Sequence, residues 1–367
     1  MMCSNLPGFV DHLEVAMKRI ALFLGASLSA VSLVAAAQGE LLVGNKSDDT
    51  VWRLSLEDGR KLGEIATEPG PHEIAISPDG RTAAVTGYGH GREKDGPLHR
   101  YGIEMIDTVA GRSLGAIRLG PYHQQPHGIR FTPDGTFLIV TAEGGGSLLR
   151  IDWEMALQGH VRAIHGIDVG PGVGHMVALS GDGRIAYVSK IAAGTVTRVD
   201  LAENKVTHEV AAGKGAEGIG IAPDGSVWAT NRAEDTVTVH DPDTLEKVAA
   251  LDSQGFPIRV VFTSDGRHAL VTNATAGTLS VFDAAARTPV ATVALKPEGE
   301  AFRETMLGKD ALPIGVVADP DRPRVYVAIS GANRIAVVDS DAWKVVDYWE
   351  TGNQPDALGI VGVAGQD

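Results

Sequence analysis

The chain has 367 residues, and 32 Lys and Arg against 46 Asp and Glu give a formal charge of -14. Nucleic acid and anionic membranes need a basic surface, so the balance excludes both as partners. Cys3 is the single cysteine, which removes disulfide frameworks, thiolate-ligated zinc or copper, iron–sulfur clusters, thiol nucleophiles and covalent haem.

The first element is a leader. Lys18 and Arg19 precede an uncharged run over 20–33, and Val34-Ala35-Ala36-Ala37 ends it. A basic flank, an apolar stretch of this length and an A-x-A end describe a secretory signal peptide over 1–37, cleaved after Ala37. Asp11 and Glu14 suit such a flank poorly, so translation is expected to start at Met17. The run is short and no basic stop-transfer segment follows it. The mature protein is therefore expected to be periplasmic or secreted, without a transmembrane segment.

Beyond the leader one phrase recurs, ending in Pro-Asp-Gly or a variant. It reads PHEIAISPDG at 71–80, PHGIRFTPDG at 126–135, GHMVALSGDG at 174–183, AEGIGIAPDG at 216–225, PIRVVFTSDG at 257–266 and PIGVVADPDR at 313–322. Each copy is followed by three further alternating stretches separated by turn residues, which predicts a four-stranded antiparallel meander. Repeats of this length with four strands are propeller blades. A seventh copy begins at PDALGIV (355–361), whereas 41–66 holds three strands without a first. Pairing the two would complete a blade and close the ring, which removes an exposed sheet edge. The expected fold is all-β: a seven-bladed β-propeller over 38–367, one domain and a monomer.

The stretches LVTNATAGTLSVFDAAARTPVATV (270–293) and WATNRAEDTVTVHDPDTLEKVAAL (228–251) resemble YVTN-type β-propeller repeats. That resemblance spans essentially the whole mature chain. It implies the propeller fold and relatives among periplasmic and surface-layer propellers, lactonases, and propeller domains of nitrite and nitrous oxide reductases. The cysteines that attach haem or ligate copper in those reductases are missing here.

Chain direction sorts the loops onto two faces: the Pro-Asp-Gly turns share one, and the entries to the first strand share the other with the loops between the second and third strands. Strand A, the first of each blade, lines the central channel, so its second residue points at the channel mouth. Round the ring that position reads His72, His127, His175, Glu217, Ile258, Ile314 and Asp356, with Arg259 next in line. Three imidazoles and a carboxylate suit zinc, copper, iron or manganese, so His72, His127, His175 and Glu217 are the expected metal ligands. The opposing possibility is that Pro-His merely begins the repeat. Glu143 and Lys190 stand where the repeat usually has Asn and are candidate acids or bases. Arg259 and Asp356 complete the candidate catalytic set. Two long loops, 87–102 with His90 and His99 and 294–312, fall on the same face. The glycine runs GYGHGR and GAEGIG lack a strand–helix setting, so no nucleotide site is expected.

Three readings follow. One is an exported metal-dependent hydrolase, lactonase-like, or a lyase on a small acidic or sugar-like substrate. Another is a non-catalytic propeller that binds a protein or glycan on the mouth face. The third is an oxidoreductase accessory holding copper or a non-covalent haem-like group.

Overall fold

The computed structural model describes residues 39–90 and 101–362. The proposed leader, its cleavage point, the start at Met17 and His99 lie outside the described residues. Seven four-stranded sheets follow one another, each an antiparallel meander. Blade 1 runs from Pro71–Ile76 to Arg112–Arg118, blade 2 from Pro126–Phe131 to Ile164–Asp168, and blade 3 from Gly174–Leu179 to Lys205–Ala211. Blades 4, 5 and 6 begin at Ala216–Ile221, Pro257–Phe262 and Pro313–Ala318. In blade 7 the C-terminal strand Pro355–Val361 pairs antiparallel with Glu40–Asn45 and so supplies the missing innermost strand. The expected closure of the ring is what the strand pairing shows. Among the described residues no helix is long and apolar enough to cross a membrane.

The turns follow from side-chain chemistry. In Ser77-Pro78-Asp79-Gly80 the Ser77 hydroxyl donates to Asp79 Oδ1 at 2.6 Å, and the same oxygen accepts the Arg81 N–H at 3.0 Å. Gly80 takes φ +70°, which favours glycine. Thr132/Asp134, Ser180/Asp182 and Thr263/Asp265 repeat the first bond at 2.6 Å. Burial falls from the axis outward: Pro71–Ile76 is nearly all buried, and Arg112–Arg118 is mostly exposed. Apolar side chains of neighbouring blades form the core between them. Tyr326, Ile335 and Trp349 of blade 6, for example, pack on Leu41, Val43 and Leu54 of blade 7. A short helix, Trp153–Leu157, interrupts blade 2 between its third and fourth strands. The sequence pattern did not announce it; Asp152 caps it by accepting the Met155 N–H.

Two details position the axis. Strand A carries a β-bulge near its start in blades 1 to 6, as between Pro71 and Ile74 or Pro257 and Arg259. A bulge breaks strict alternation, so the second and third residues of the strand both gain access to the axis. A hydroxyl on strand B then clamps each blade to the next. Thr86 donates to His127 O at 3.0 Å, Thr141 to His175 O at 2.6 Å, Thr230 to Ile258 O at 3.2 Å and Thr272 to Ile314 O at 2.8 Å. Ser189 makes the same bond to Glu217 O. These are the Thr or Ser of the VT, VS and AT dipeptides on strand B. The equivalent positions in blades 6 and 7 are Ala328 and Gly44.

Candidate functional site

The second residue of each strand A does reach the axis region. His72, His127, His175, Glu217 and Asp356 are all buried, and Arg259 with them. The ring centroids of His72 and His127 lie 4.8 Å apart, and those of His127 and His175 lie 3.7 Å apart. Residues far apart in sequence are thus brought into one cluster by ring closure.

A second tier stands over the first, built from the opening residue of each loop between strands B and C: Lys46, Tyr88, Glu143 and Arg232. Tyr88 Oη donates to Glu143 Oε2 at 2.7 Å, and the other oxygen of Glu143 accepts from His175 Nδ1. Arg232 Nη1 donates to Glu217 Oε2 at 2.6 Å. Lys46 Nζ lies 3.4 Å from Asp356 Oδ2, and His72 Nε2 lies 4.0 Å from the same oxygen. The bulge brings in the third residues of two strands. Arg259 donates through Nε and Nη2 to Glu73 Oε1 at 3.0 and 2.6 Å, a pairing between blades 5 and 1. Neither Glu73 nor Tyr88 was expected from the sequence. The signal for Tyr88 was available, since it occupies the loop position of Glu143 and Arg232.

Lys190 is placed differently from its expected role. It occupies the Asn position of the repeat, opposite Thr195, as Asn231 is opposite Thr236 and Asn273 opposite Thr278. Its ammonium is fully buried and donates to Val169 O and, at 3.0 Å, to Glu209 Oε2. Those bonds go to the chain entering blade 3 and to the outer strand of its own blade, not to the hub. Ala142, not Glu143, holds the Asn position in blade 2; Glu143 is one residue on, where a side chain reaches over the axis. His90 Nε2 pairs instead with Asp49 Oδ1 at 2.7 Å.

Electrostatics divides the three imidazoles. Burial, followed by Lys46, His175 and Arg259, holds His72 well below the ordinary histidine range. Burial, then His175 and His72, does the same for His127. Both rings are neutral at pH 7. His72 Nδ1 lies 3.2 Å from Gly70 O; in the neutral ring that nitrogen donates, so the lone pair sits on Nε2. His175 is also deeply buried, but its bond to Glu143 and the nearby carboxylate of Glu217 overcome burial and raise it. Glu217 is held below the usual carboxylate range: burial opposes this, and His175, Arg259 and Arg232 outweigh it.

The donor atoms of His127, Glu143 and His175 lie within 4.8 Å of one another, a group that could hold a metal ion. The expected ligand set was His72, His127, His175 and Glu217; this group lacks His72 and has Glu143 where Glu217 was expected. The structure puts Glu217 Oε1 at 3.4 Å from His175 Nε2, adjacent to that group. Four buried polar atoms of the hub lack a hydrogen-bond partner: His127 Nδ1, His175 Nε2, Arg259 Nη1 and Asp356 Oδ1. Buried polar atoms are rarely left so. Unused imidazole nitrogens beside two carboxylates are the donor set a borderline divalent metal takes.

No curated protein sequence matches the chain. A family model described as lactonase, 7-bladed beta-propeller, matches residues 118–292. Among solved structures, the periplasmic gluconolactonase PpgL of Pseudomonas aeruginosa is 20% identical with a TM-score of 0.68, covering 89% of this chain and 99% of that one. Hydrazine synthase of Kuenenia stuttgartiensis is 21% identical at TM-score 0.65, over 79% and 89% of the two chains. The dihydro-heme d1 dehydrogenase NirN is 16% identical at TM-score 0.57, over 85% and 63%. At these identities the structural likeness is one of fold. The chain is thus a closed seven-bladed propeller that resembles the lactonase propeller family over residues 118–292.

Proposed function

We propose that the hub binds one divalent transition metal and that the protein is an exported, lactonase-like hydrolase acting on a small acidic or sugar-like lactone. The observation that carries this reading is the buried group of His127, Glu143 and His175, with unpartnered nitrogens on both rings. Those three residues would hold the metal, with His72 and Glu217 beside it. A metal bound there supplies Lewis acidity toward a carbonyl oxygen and lowers the pKa of a coordinated water. The chain's own groups set the stage. Tyr88 fixes the orientation of Glu143. His175, Arg259 and Arg232 together keep Glu217 ionised, with Arg232 holding its outer oxygen. Ile258 and Ile314 make the opposite part of the ring position apolar, packed with Ala274 and Leu312. The periplasmic setting of the gluconolactonase neighbour supports an exported location, in keeping with the leader.

Metal analysis with a turnover assay tests this reading. The purified protein, loaded with zinc, copper, iron or manganese and desalted, should retain about one ion per chain with one of them, as three protein ligands with a fourth position left for water imply. It should open a sugar lactone only when loaded, and His127→Ala should lose both properties. Retention of none of the four metals would overturn the proposal. The closed ion pairs of the hub would then support a non-catalytic binding propeller instead.

A further inference from the structure

We propose that the channel on the Pro-Asp-Gly side of the hub is a second site, for a small organic monocarboxylate with an apolar body. A cavity of about 390 Å³ runs from Glu73, Arg259 and Asp356 down to the turn residues Pro78 and Pro133. The three histidines do not line it, so it lies on the other side of the polar plug from the proposed metal group.

Its chemistry is uneven. The walls are aliphatic, with Ile74, Val260, Val316 and Leu358 among them. Two guanidiniums also line it, Arg130 and Arg259. Glu73 binds Arg259 through two donors, and Asp356 faces Lys46. Among the described residues Arg130 makes one hydrogen bond, Nη1 to the carbonyl of its neighbour Ile129 at 2.7 Å. It has no ion-pair partner of its own among the described residues. Arg259 Nη1 is buried and without a hydrogen-bond partner; its nearest carboxylate oxygen, on Glu217, is 3.7 Å away. A cationic group in a low-dielectric channel is costly unless it is paired. A carboxylate is the complementary group, because it accepts from guanidinium donors in charge-assisted bonds. The aliphatic walls would cover the rest of such a molecule, as in other small-ligand cavities that combine apolar walls with a few placed polar groups.

Calorimetry on the purified protein with hexanoate tests this, with hexan-1-ol and hexylammonium as probes that share the apolar body and lack the carboxylate. Hexanoate should bind one per chain, and the other two should bind at least about tenfold more weakly, the loss expected for a charge-assisted bond in a dry site. Arg130→Met removes the charge and keeps an apolar stem, and should weaken hexanoate by a similar factor. Val261→Phe leaves both guanidiniums in place and fills the wall, and should also weaken it. Each variant is read only with an unchanged circular dichroism spectrum, and Val261→Phe serves if Arg130→Met does not fold. Absence of hexanoate binding, or equal binding of all three probes, would overturn the site. So would full affinity in a folded variant. Metal content is expected to be the same in Arg130→Met and the parent protein, so failure here is separable from failure of the metal reading.

Discussion

Blades 1 to 4 and blades 5 and 6 bring the same backbone position to the axis and fill it with opposite chemistry. The first four place His72, His127, His175 and Glu217 there; the other two place Ile258 and Ile314, which pack with Ala274 and Leu312. The backbone setting is shared: both sectors have the strand A bulge, and the Thr230 and Thr272 clamps hold Ile258 and Ile314 as Thr86 and Thr141 hold His127 and His175. A propeller strand therefore accepts an isoleucine at this point without loss of its frame. Burying imidazoles and carboxylates where aliphatics fit carries a desolvation cost that the fold does not require. The polar sector is best explained by what it binds.

Substitutions can break that comparison, and the largest effect is expected at Glu217. Glu217→Ala leaves Arg232 and His175 without their shared buried carboxylate and should destabilise the protein by about 3–5 kcal/mol, read as a shift of the urea midpoint. A loss near zero would mean that the sector is solvated and its pairs are dispensable. Next comes the clamp. Thr141→Ala strips a hydrogen bond from His175 O and from the Gly128 N–H, for about 1–3 kcal/mol, and should also lower metal retention by loosening His175. In the apolar sector, Ile258→Val should cost about 0.5–1.5 kcal/mol and leave metal content unchanged; a drop in metal content would show that the two sectors are not independent.

The smallest effect belongs to the turns far from the hub. Asp79, Asp134, Asp182 and Asp265 are held below the ordinary aspartate range, first by the hydroxyl two residues earlier and then by a backbone N–H. A carboxyl whose folded pKa is depressed contributes stability above its unfolded value and loses it as pH falls through the folded one. Asp134→Asn should therefore cost about 0.5 kcal/mol or less at neutral pH, as for an exposed charge. That difference should vanish under acid conditions, where the parent Asp is itself protonated. Urea midpoints of the pair across the acid range check both sign and window.

The fold was open to reading because it repeats. Asp-Gly turns recur in blades 1 to 5 and alternating strands in every blade, and the orphaned PDALGIV segment could go only to the blade that lacked a first strand. The axis position could be read for the same reason, as one column of an aligned repeat. What escaped depended on local departures from period two. The bulge turns Glu73 and Arg259 toward each other across the channel, and no alternation pattern contains that. Lys190 looked like chemistry because it replaces Asn, yet like Asn231, which bonds Thr236 and Thr238, it is engaged by neighbouring structure, here Val169 and Glu209, and not by the hub. Arg130 was invisible for a simpler reason. Its column otherwise holds Ala75, Ala178, Gly220, Val261, Val317 and Gly359, and only the packed channel shows a cation among them with no carboxylate in ion-pair contact among the described residues.

The most direct measurement is an anomalous-diffraction map from crystals of the zinc-loaded protein. The proposed hub predicts one strong peak about 2.0–2.2 Å from a nitrogen of His127 and of His175 and from an oxygen of Glu143. A hub with no peak, its rings still stacked and its carboxylates still paired to Tyr88 and Arg232, would contradict it.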